Sequence, residues 1–191
     1  MVIRTLSVGI IGTQCYLLRR EASSPTCLVV DPGAEPDRIL KAADGAAIEA
    51  ILLTHGHFDH IGAVRPLMDF FPKARLLIHA LDAPMLEDPG LNAGRSLLGR
   101  EITAPAATDF VREGEELSLA GLSLSVLHTP GHTPGSVCYL SGEDLFTGDT
   151  LFEHGWGRTD LPGGDEAQMM RSLRRLLPLA KKTRVHPGHE G

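Results

Sequence analysis

Side chains that can coordinate a metal ion crowd one short segment of this chain, LLTHGHFDHIG at residues 52–62. His55, His57, Asp59 and His60 come directly after an aliphatic run, IEAILL, whose pattern predicts a buried strand. Burying so many polar groups without a metal ion or other partners would be costly. The cluster therefore predicts a metal site at the end of a strand, and it demands a fold that delivers further ligands to the same place.

The spacing inside this cluster is suited to two ions rather than one. In an extended segment residues two apart project to the same side, so His55 and His57 can hold one ion while Gly56 keeps the turn free of bulk. Asp59 and His60 lie where the next helix is predicted to begin, and they project elsewhere. Imidazole and carboxylate ligands suit Zn(II), Fe(II) and Mn(II), and the cluster contains no cysteine.

Three later segments have the same form, an apolar strand followed by a glycine-containing loop that carries one possible ligand. They are TPGHTPGS with His132, LFTGDTLF with Asp149 and VHPGHEG with His189. Strand ends gathered along one rim of a sheet would bring these loops to the histidine cluster. The predicted ligand sets are His55, His57 and His132 for one ion and Asp59, His60 and His189 for the other, with Asp149 free to bridge them. Four further histidines are expected beside the ligands or at the surface: His79, His128, His154 and His186.

Periodicity along the rest of the chain predicts a mixed α/β layered domain. Strands are predicted at 2–10, 14–19, 26–30, 48–54, 74–80 and 122–128, with two more inside 136–148 and a short one before the last loop. Helices are predicted at 35–43, within 61–72, and after Asp165, which is placed as an N-cap with Gln168 three residues on. The buried face of this last helix is predicted to consist of Met169, Leu173, Leu176 and Leu177. The segment 82–108 has little periodicity and is expected to form a surface loop, a lid or a dimer contact. With 191 residues and 42% hydrophobic residues, one domain spanning 1–191 is expected.

Charge and composition restrict the partners. The net charge is −6 and no Lys/Arg block occurs, which argues against nucleic acid or an anionic membrane surface as a partner. No apolar run approaches the roughly 20 residues of a membrane span, and no cleavable signal is recognised, so a cytoplasmic protein with a small-molecule substrate is expected. Cys15, Cys27 and Cys138 are dispersed and are expected to be small buried groups. GxSxG and GxxxxGK motifs do not occur.

These motifs resemble the metallo-β-lactamase fold superfamily, whose signature is HxHxDH followed by a later His, an Asp and a final His. The segments TPGHTPGS, FTGDTLF, GWGRTDLPGGD and HPGHE are most similar to its glyoxalase II branch, thioesterases that hydrolyse S-D-lactoylglutathione to D-lactate and glutathione. The resemblance implies an αββα four-layer sandwich with mixed sheets, acting as a monomer or homodimer. It also implies two divalent ions, with zinc favoured and iron or manganese also suitable, a water activated between them, and a role for Asp59 in orienting that water.

Two departures bear on the thiol carrier. Larger members of the branch continue into a C-terminal helical domain that supplies basic residues to glutathione, and this chain resembles the short form without it. Arg158 in GWGRTD matches the basic residue that contacts glutathione, but Asp160 stands where an aromatic residue often follows. Arg158 could instead pair with Asp160 or Asp165 at the surface.

Other functions of the same fold remain open. Persulfide dioxygenases also resemble the sequence, and they hold one Fe(II) with residues that correspond here to His55, His132 and Asp149. A β-lactamase is less favoured because position 149 is Asp rather than the Cys common in those enzymes. A tRNA-processing nuclease would need a basic exosite, and a non-catalytic metal-binding protein would not need the complete ligand set.

Overall fold

Two mixed β-sheets account for most of the regular structure in the computed structural model, which describes residues 1–190. The first sheet has strand order β1-β2-β3-β4-β5-β6, with bounds Val2–Val8, Thr13–Arg19, Thr26–Val30, Ala47–Leu52, Arg75–His79 and Asp109–Val111. The second has order β11-β10-β9-β8-β7, and β7 to β11 are Glu116–Leu119, Leu122–His128, Val137–Ser141, Asp144–Gly148 and Arg184–Pro187. The helices α1 to α5 are Pro36–Ala43, Phe58–Ile61, Val64–Phe70, Gly94–Leu98 and Glu166–Ala180, with a 3-10 turn at Ala83–Leu86.

The first sheet is buried on both faces, and β2 shows why. Successive side chains of a strand point to opposite faces. Cys15 and Leu17 therefore join a core shared with α1 and α3, whereas Tyr16 and Leu18 join the core between the two sheets. This explains why the strand is apolar with no simple alternation.

Helix α5 covers the outer face of the second sheet. Its side chains Met169, Leu173 and Leu176 pack against Cys138 and Leu145 of that sheet. The layers are therefore helix, sheet, sheet and helix, and the expected αββα sandwich with mixed sheets is confirmed.

Several local predictions are confirmed and two are corrected. Asp165 caps α5, because its Oδ1 accepts a hydrogen bond from the Gln168 backbone N–H at 2.8 Å. The three cysteines are free and buried. Leu177 is predicted to be buried but is 45% exposed, and it lies outside the cluster that contains Met169, Leu173 and Leu176. The segment 82–108 was expected to be irregular, yet it contains the 3-10 turn and α4.

The ligand-bearing loops come from two sheets, so the prediction of a single sheet rim is wrong. The histidine cluster follows β4 of the first sheet, whereas the other three loops follow β8, β10 and β11 of the second. Hydrogen bonds between the sheets hold these ends together. The Val137 N–H donates to the Thr54 carbonyl at 2.8 Å, and the Tyr16 hydroxyl donates to the Pro187 carbonyl at 2.6 Å. No helix within residues 1–190 combines the length and the apolar character needed to cross a membrane.

Candidate metal centre

The histidine loop turns sharply from β4 into α2. His57 is extended, with φ −67° and ψ 152°, and the helix begins at the next residue. The side chains of His55, His57 and His60 are at most 3% exposed. Gly56 is required here, because a Cβ atom at this position would lie 2.6 Å from the Cβ of Met85. The loop therefore presents its imidazoles inward with no space for a bulkier residue between them.

The structure brings together every side chain predicted to be a metal ligand. Three groups have possible ligand atoms that all lie within 4.8 Å of one another: His55, His57 and His132; His55, His60 and Asp149; Asp59, His60 and His189. The first and third groups are the two predicted sets. Asp149 lies between them, because its Oδ2 is 3.4 Å from His132 Nε2 and 3.5 Å from His189 Nε2.

Unsatisfied buried atoms indicate that this cluster suits metal ions. The buried Nε2 atoms of His55, His57 and His60, and Oδ1 of Asp149, have no hydrogen-bond partner among the described residues. Buried polar atoms are normally paired, so such a concentration calls for an explanation. The distances from His60 Nε2 to Asp59 and Asp149, 3.3 and 3.4 Å, are long for hydrogen bonds between charged groups. Nitrogen and carboxylate donors together suit a divalent ion such as zinc, iron or manganese.

The protonation states in the absence of metal follow from burial and charge. Burial lowers the pKa of His55, and it lowers that of His57 to about 3, so both imidazoles are neutral and able to coordinate. Burial acts to lower the pKa of His60 too, but the carboxylates of Asp59, Asp31 and Asp149 outweigh it and raise that pKa. The pKa of Asp59 is depressed although burial acts to raise it, because the charge of His60 and the hydrogen bond from His189 prevail.

Asp31 supports the histidine loop from beneath and was not singled out in the sequence. Its Oδ1 accepts from the Thr54 N–H at 2.8 Å, and its Oδ2 accepts from the Thr54 hydroxyl at 2.6 Å. The same Oδ2 lies 3.0 Å from His60 Nδ1, which leaves Nε2 directed toward the cluster. A signal was present, because CLVVDPG has the same strand-then-glycine form as the ligand segments.

Asp82 links two loops that carry predicted ligands, and the sequence does not predict this role. Its side chain is fully buried and accepts hydrogen bonds from the Gly56 N–H at 3.1 Å, the Gly135 N–H at 2.6 Å and the Thr133 hydroxyl at 2.6 Å. Gly56 lies between two histidines of the cluster, and Thr133 follows His132. Asp82 therefore fixes the distance between these loops. An Asp within an irregular segment has no sequence signal that distinguishes it from a surface residue.

The other histidines take supporting or peripheral positions. The rings of His79 and His128 stack with centroids 4.2 Å apart. His186 lies 2.9 Å from Asp144 through its Nε2, and His154 is exposed. None of them belongs to the three ligand groups within the described residues.

The loop that carries Arg158 is tied to the cluster through its backbone. The Nδ1 atom of His132 donates to the Arg158 carbonyl at 2.7 Å, and Nε2 of that ring is directed into the cluster, 2.9 Å from His57 Nδ1. The Arg158 guanidinium makes a two-point ion pair with Asp160, at 2.6 and 2.7 Å. Of the two predicted surface partners the structure selects Asp160, since Asp165 caps α5.

A cleft of about 380 Å³ opens over the cluster. Its polar wall consists of His57, Asp59, His132, Asp149, Arg158 and His189. Its apolar wall consists of Ile11, Phe58, Ala93, Leu97, Leu98, Phe152 and Leu161. Helix α4 supplies Leu97 and Leu98, so the segment 82–108 borders the site. A cleft with an apolar wall and a few convergent polar groups is typical of a small-molecule site.

Comparison with known proteins places these features in one family. A sequence model of the metallo-beta-lactamase superfamily matches residues 8–189. The probable metallo-hydrolase YqgX of Bacillus subtilis is 39% identical over 191 residues, covering 97% of this chain and 89% of that protein. The hydroxyacylglutathione hydrolase of Aeromonas hydrophila is 42% identical over 176 residues, covering 92% of this chain but 60% of that enzyme.

Solved structures share the same architecture. BLEG-1, described as a B3 metallo-beta-lactamase, has a TM-score of 0.93 at 37% identity, covering 100% of this chain and 92% of its own. TTHA1623 in a di-iron-bound form has a TM-score of 0.86 at 38% identity, covering 98% and 92%. ETHE1 from Myxococcus xanthus has a TM-score of 0.78 at 32% identity, covering 100% and 76%. The similarity therefore extends over nearly all of the chain.

Proposed function

This chain belongs to the metallo-beta-lactamase superfamily, and we propose that within it the protein is a metal-dependent thioester hydrolase acting on S-D-lactoylglutathione or a related hydroxyacyl thioester. The observation that carries the proposal is the pair of ligand sets that meet at Asp149 beneath a cleft. The resemblance of GWGRTDLPGGD to the glyoxalase II branch supports the substrate class, as does the similarity to a hydroxyacylglutathione hydrolase.

The proposed cofactor is a pair of divalent ions. His55, His57 and His132 would hold one ion, Asp59, His60 and His189 the other, and Asp149 would contact both. Ions bound there would supply Lewis acidity and make water nucleophilic near neutral pH. The di-iron form of TTHA1623 supports a pair rather than a single ion. Zinc is the proposed metal, and iron and manganese are the alternatives to be tested.

The net reaction is hydrolysis at the acyl carbon. A water oxygen forms a bond to the carbonyl carbon, the carbon–sulfur bond breaks, and the products are a carboxylate, a thiol and one proton. A thiol of pKa about 8.5 leaves readily, so a strong general acid is not required. Asp59 is held in place by the Thr13 hydroxyl, which donates to its Oδ2 at 3.0 Å. With its pKa depressed, Asp59 stays ionised and can orient the attacking water.

The test is thiol release from S-D-lactoylglutathione by protein stripped of metal and reloaded separately with Zn(II), Mn(II) or Fe(II). We expect the rate of thiol release to rise with the amount of bound metal, up to two ions per chain. His57→Ala should lose activity together with bound metal, whereas the control His154→Ala, at an exposed position outside the cluster, should retain both. Full activity in metal-free protein, or no release with any metal, would refute the proposal.

A mononuclear iron persulfide dioxygenase is the second candidate. It is favoured by the closeness of the three residues it would use, because His55 and His132 have ring centroids 4.8 Å apart and His132 Nε2 lies 3.4 Å from Asp149. That reaction would consume O₂ and water and convert glutathione persulfide to glutathione and sulfite. Oxygen uptake with one iron per chain, without thioester hydrolysis, would select it. Because BLEG-1 is described as a metallo-beta-lactamase, hydrolysis of a cephalosporin is measured with the same preparations.

A further inference from the structure

The cleft has a second branch, which we name the hairpin arm. It is a cavity of about 140 Å³ between the turn that joins β1 to β2 and the segment that contains α4. It shares Ile11, Phe58, Asp59 and Leu98 with the cleft over the metal cluster. The hairpin arm therefore begins at a proposed metal ligand.

The walls of the hairpin arm are mainly apolar. Its hydrophobic lining residues are Val8, Ile10, Ile11, Ala34, Phe58, Leu98 and Ile102. The charged residues among the described lining are Asp59, which is proposed to bind metal, and Arg100, which is exposed. The Thr13 hydroxyl donates its hydrogen bond to Asp59. Ile10 is 83% exposed and Ile11 is 49% exposed, so apolar surface at the hairpin tip has no protein partner within residues 1–190.

The rest of the cleft carries more polar side chains than the hairpin arm, because the histidines and carboxylates of the cluster line it. It contains Arg158, whose charge is already paired with Asp160 at the surface, together with Phe152 and Leu161. A thioester has two halves, one on each side of its carbonyl group, and the hairpin arm and the rest of the cleft both include Asp59 in their walls, so one half can enter each. The half that carries polar and charged groups suits the Arg158 branch, and an apolar half suits the hairpin arm.

We propose that the hairpin arm is an acyl subsite, and that the preferred substrates are hydroxyacyl thioesters with an aliphatic chain longer than lactoyl. This inference rests on the proposed function for turnover, although binding of the acid product tests it separately. The cavity volume is close to that of engineered apolar cavities of roughly 150 Å³ that hold benzene. The hairpin arm therefore has room for about four to six carbon atoms.

The expected gain per carbon follows from the hydrophobic effect. Complete burial of one methylene corresponds to about a fourfold gain in affinity. Because the hairpin arm is open on one side, about twofold per methylene is expected. Four added methylenes should then raise kcat/KM by about 16-fold, and longer chains should give no further gain once the arm is full.

The experiment uses S-(D-2-hydroxyacyl)glutathiones from lactoyl to 2-hydroxyoctanoyl with the metal-loaded protein. The quantity compared is the ratio of kcat/KM for each chain to kcat/KM for lactoyl. In parallel, isothermal titration calorimetry measures the affinity for the free 2-hydroxy acids of the same lengths. Ile10→Asp places a charge in the arm at an exposed position, and Phe70→Asp, 64% exposed on α3 and lining neither branch, is the matched control.

Each outcome decides between the two proposals. A rise in kcat/KM with chain length would support the acyl subsite if Ile10→Asp abolishes it and Phe70→Asp preserves it. Hydrolysis with no length dependence, or with lactoyl best, would overturn the subsite and leave the thioesterase proposal intact. If no thioester is hydrolysed but acid affinity still rises with length in an Ile10-dependent manner, the thioesterase proposal fails and the subsite stands. If no thioester is hydrolysed and the affinity for the acids does not depend on chain length, both proposals are overturned.

Discussion

Replacing Asp82 tests whether one buried carboxylate holds two loops with predicted ligands at a fixed distance. Asp82→Ala leaves the N–H groups of Gly56 and Gly135 buried without an acceptor, whereas the Thr133 hydroxyl can still donate to Ser136 Oγ, 2.7 Å away. Each unsatisfied buried donor costs roughly 1–3 kcal/mol. Burial raises the pKa of Asp82, so removing a desolvated charge offsets part of this cost. The expected loss is about 3 kcal/mol in the free energy of unfolding.

Asp82→Asn separates the loss of charge from the loss of an acceptor. The amide oxygen of Asn can replace one carboxylate oxygen as an acceptor. The amide NH₂ group is a donor, so the backbone N–H that it faces loses its acceptor. The expected loss is about 2 kcal/mol. Both variants should also bind metal more weakly, because Gly56 and Thr133 adjoin proposed ligands.

The assay is guanidinium unfolding of the metal-free protein followed by circular dichroism, with metal stoichiometry measured on the same variants. The control is Asp88→Ala, an exposed Asp whose side chain accepts one hydrogen bond, from the Gly90 N–H at 2.8 Å, and it should cost at most about 0.5 kcal/mol. The reasoning is refuted if Asp82→Ala unfolds within about 0.5 kcal/mol of wild type.

Three further predictions concern a pH-dependent ion pair, a glycine at the site and a helix cap. Hydrogen bonds from Arg184 lower the pKa of Asp144 to about 2, so this stabilisation is complete above about pH 4 and is lost as the pH falls toward 2. Asp144→Asn should lower the free energy of unfolding in urea by about 1 kcal/mol at pH 6 and by less at pH 3. An equal loss at both pH values would contradict this. Gly188→Ala places a Cβ atom against Asp149 Oδ1, so bound metal per chain should fall while the circular dichroism spectrum is kept; unchanged metal content would disprove the predicted contact. Asp165→Ala removes the N-cap of α5 and should cost about 1 kcal/mol in chemical denaturation, and a loss below about 0.2 kcal/mol would show that the cap is dispensable.

The candidate ligands could be chosen from the sequence because their signals are local. HxHxDH concentrates coordinating groups after one aliphatic strand, and the segments around His132, Asp149 and His189 repeat the strand-then-glycine form. The cap at Asp165 is likewise local, since it depends on a residue three positions away. Family resemblance added the four-layer fold, and the structure confirms it.

Weak or one-sided periodicity explains the local errors. The strands β6 and β7 escaped detection because three and four residues are too few to show alternation. Leu177 has helical spacing from Leu173, but spacing alone does not tell how far the covering sheet extends.

Only the tertiary structure decided how the site is supported and what shape it has. Asp31 follows a strand in a local pattern, but its partner Thr54 lies 23 positions away, and Asp82 binds groups up to 53 positions away. No local pattern shows which groups these carboxylates bind. The ligand loops meet because the strand ends of two packed sheets adjoin, and Arg158 pairs with Asp160 because their loop turns them together. The sequence by itself therefore determined which coordinating groups this protein offers, since such groups are read one residue at a time. The shape of the cleft and its hairpin arm depends on how separate elements pack, and packing is a property of the whole folded chain.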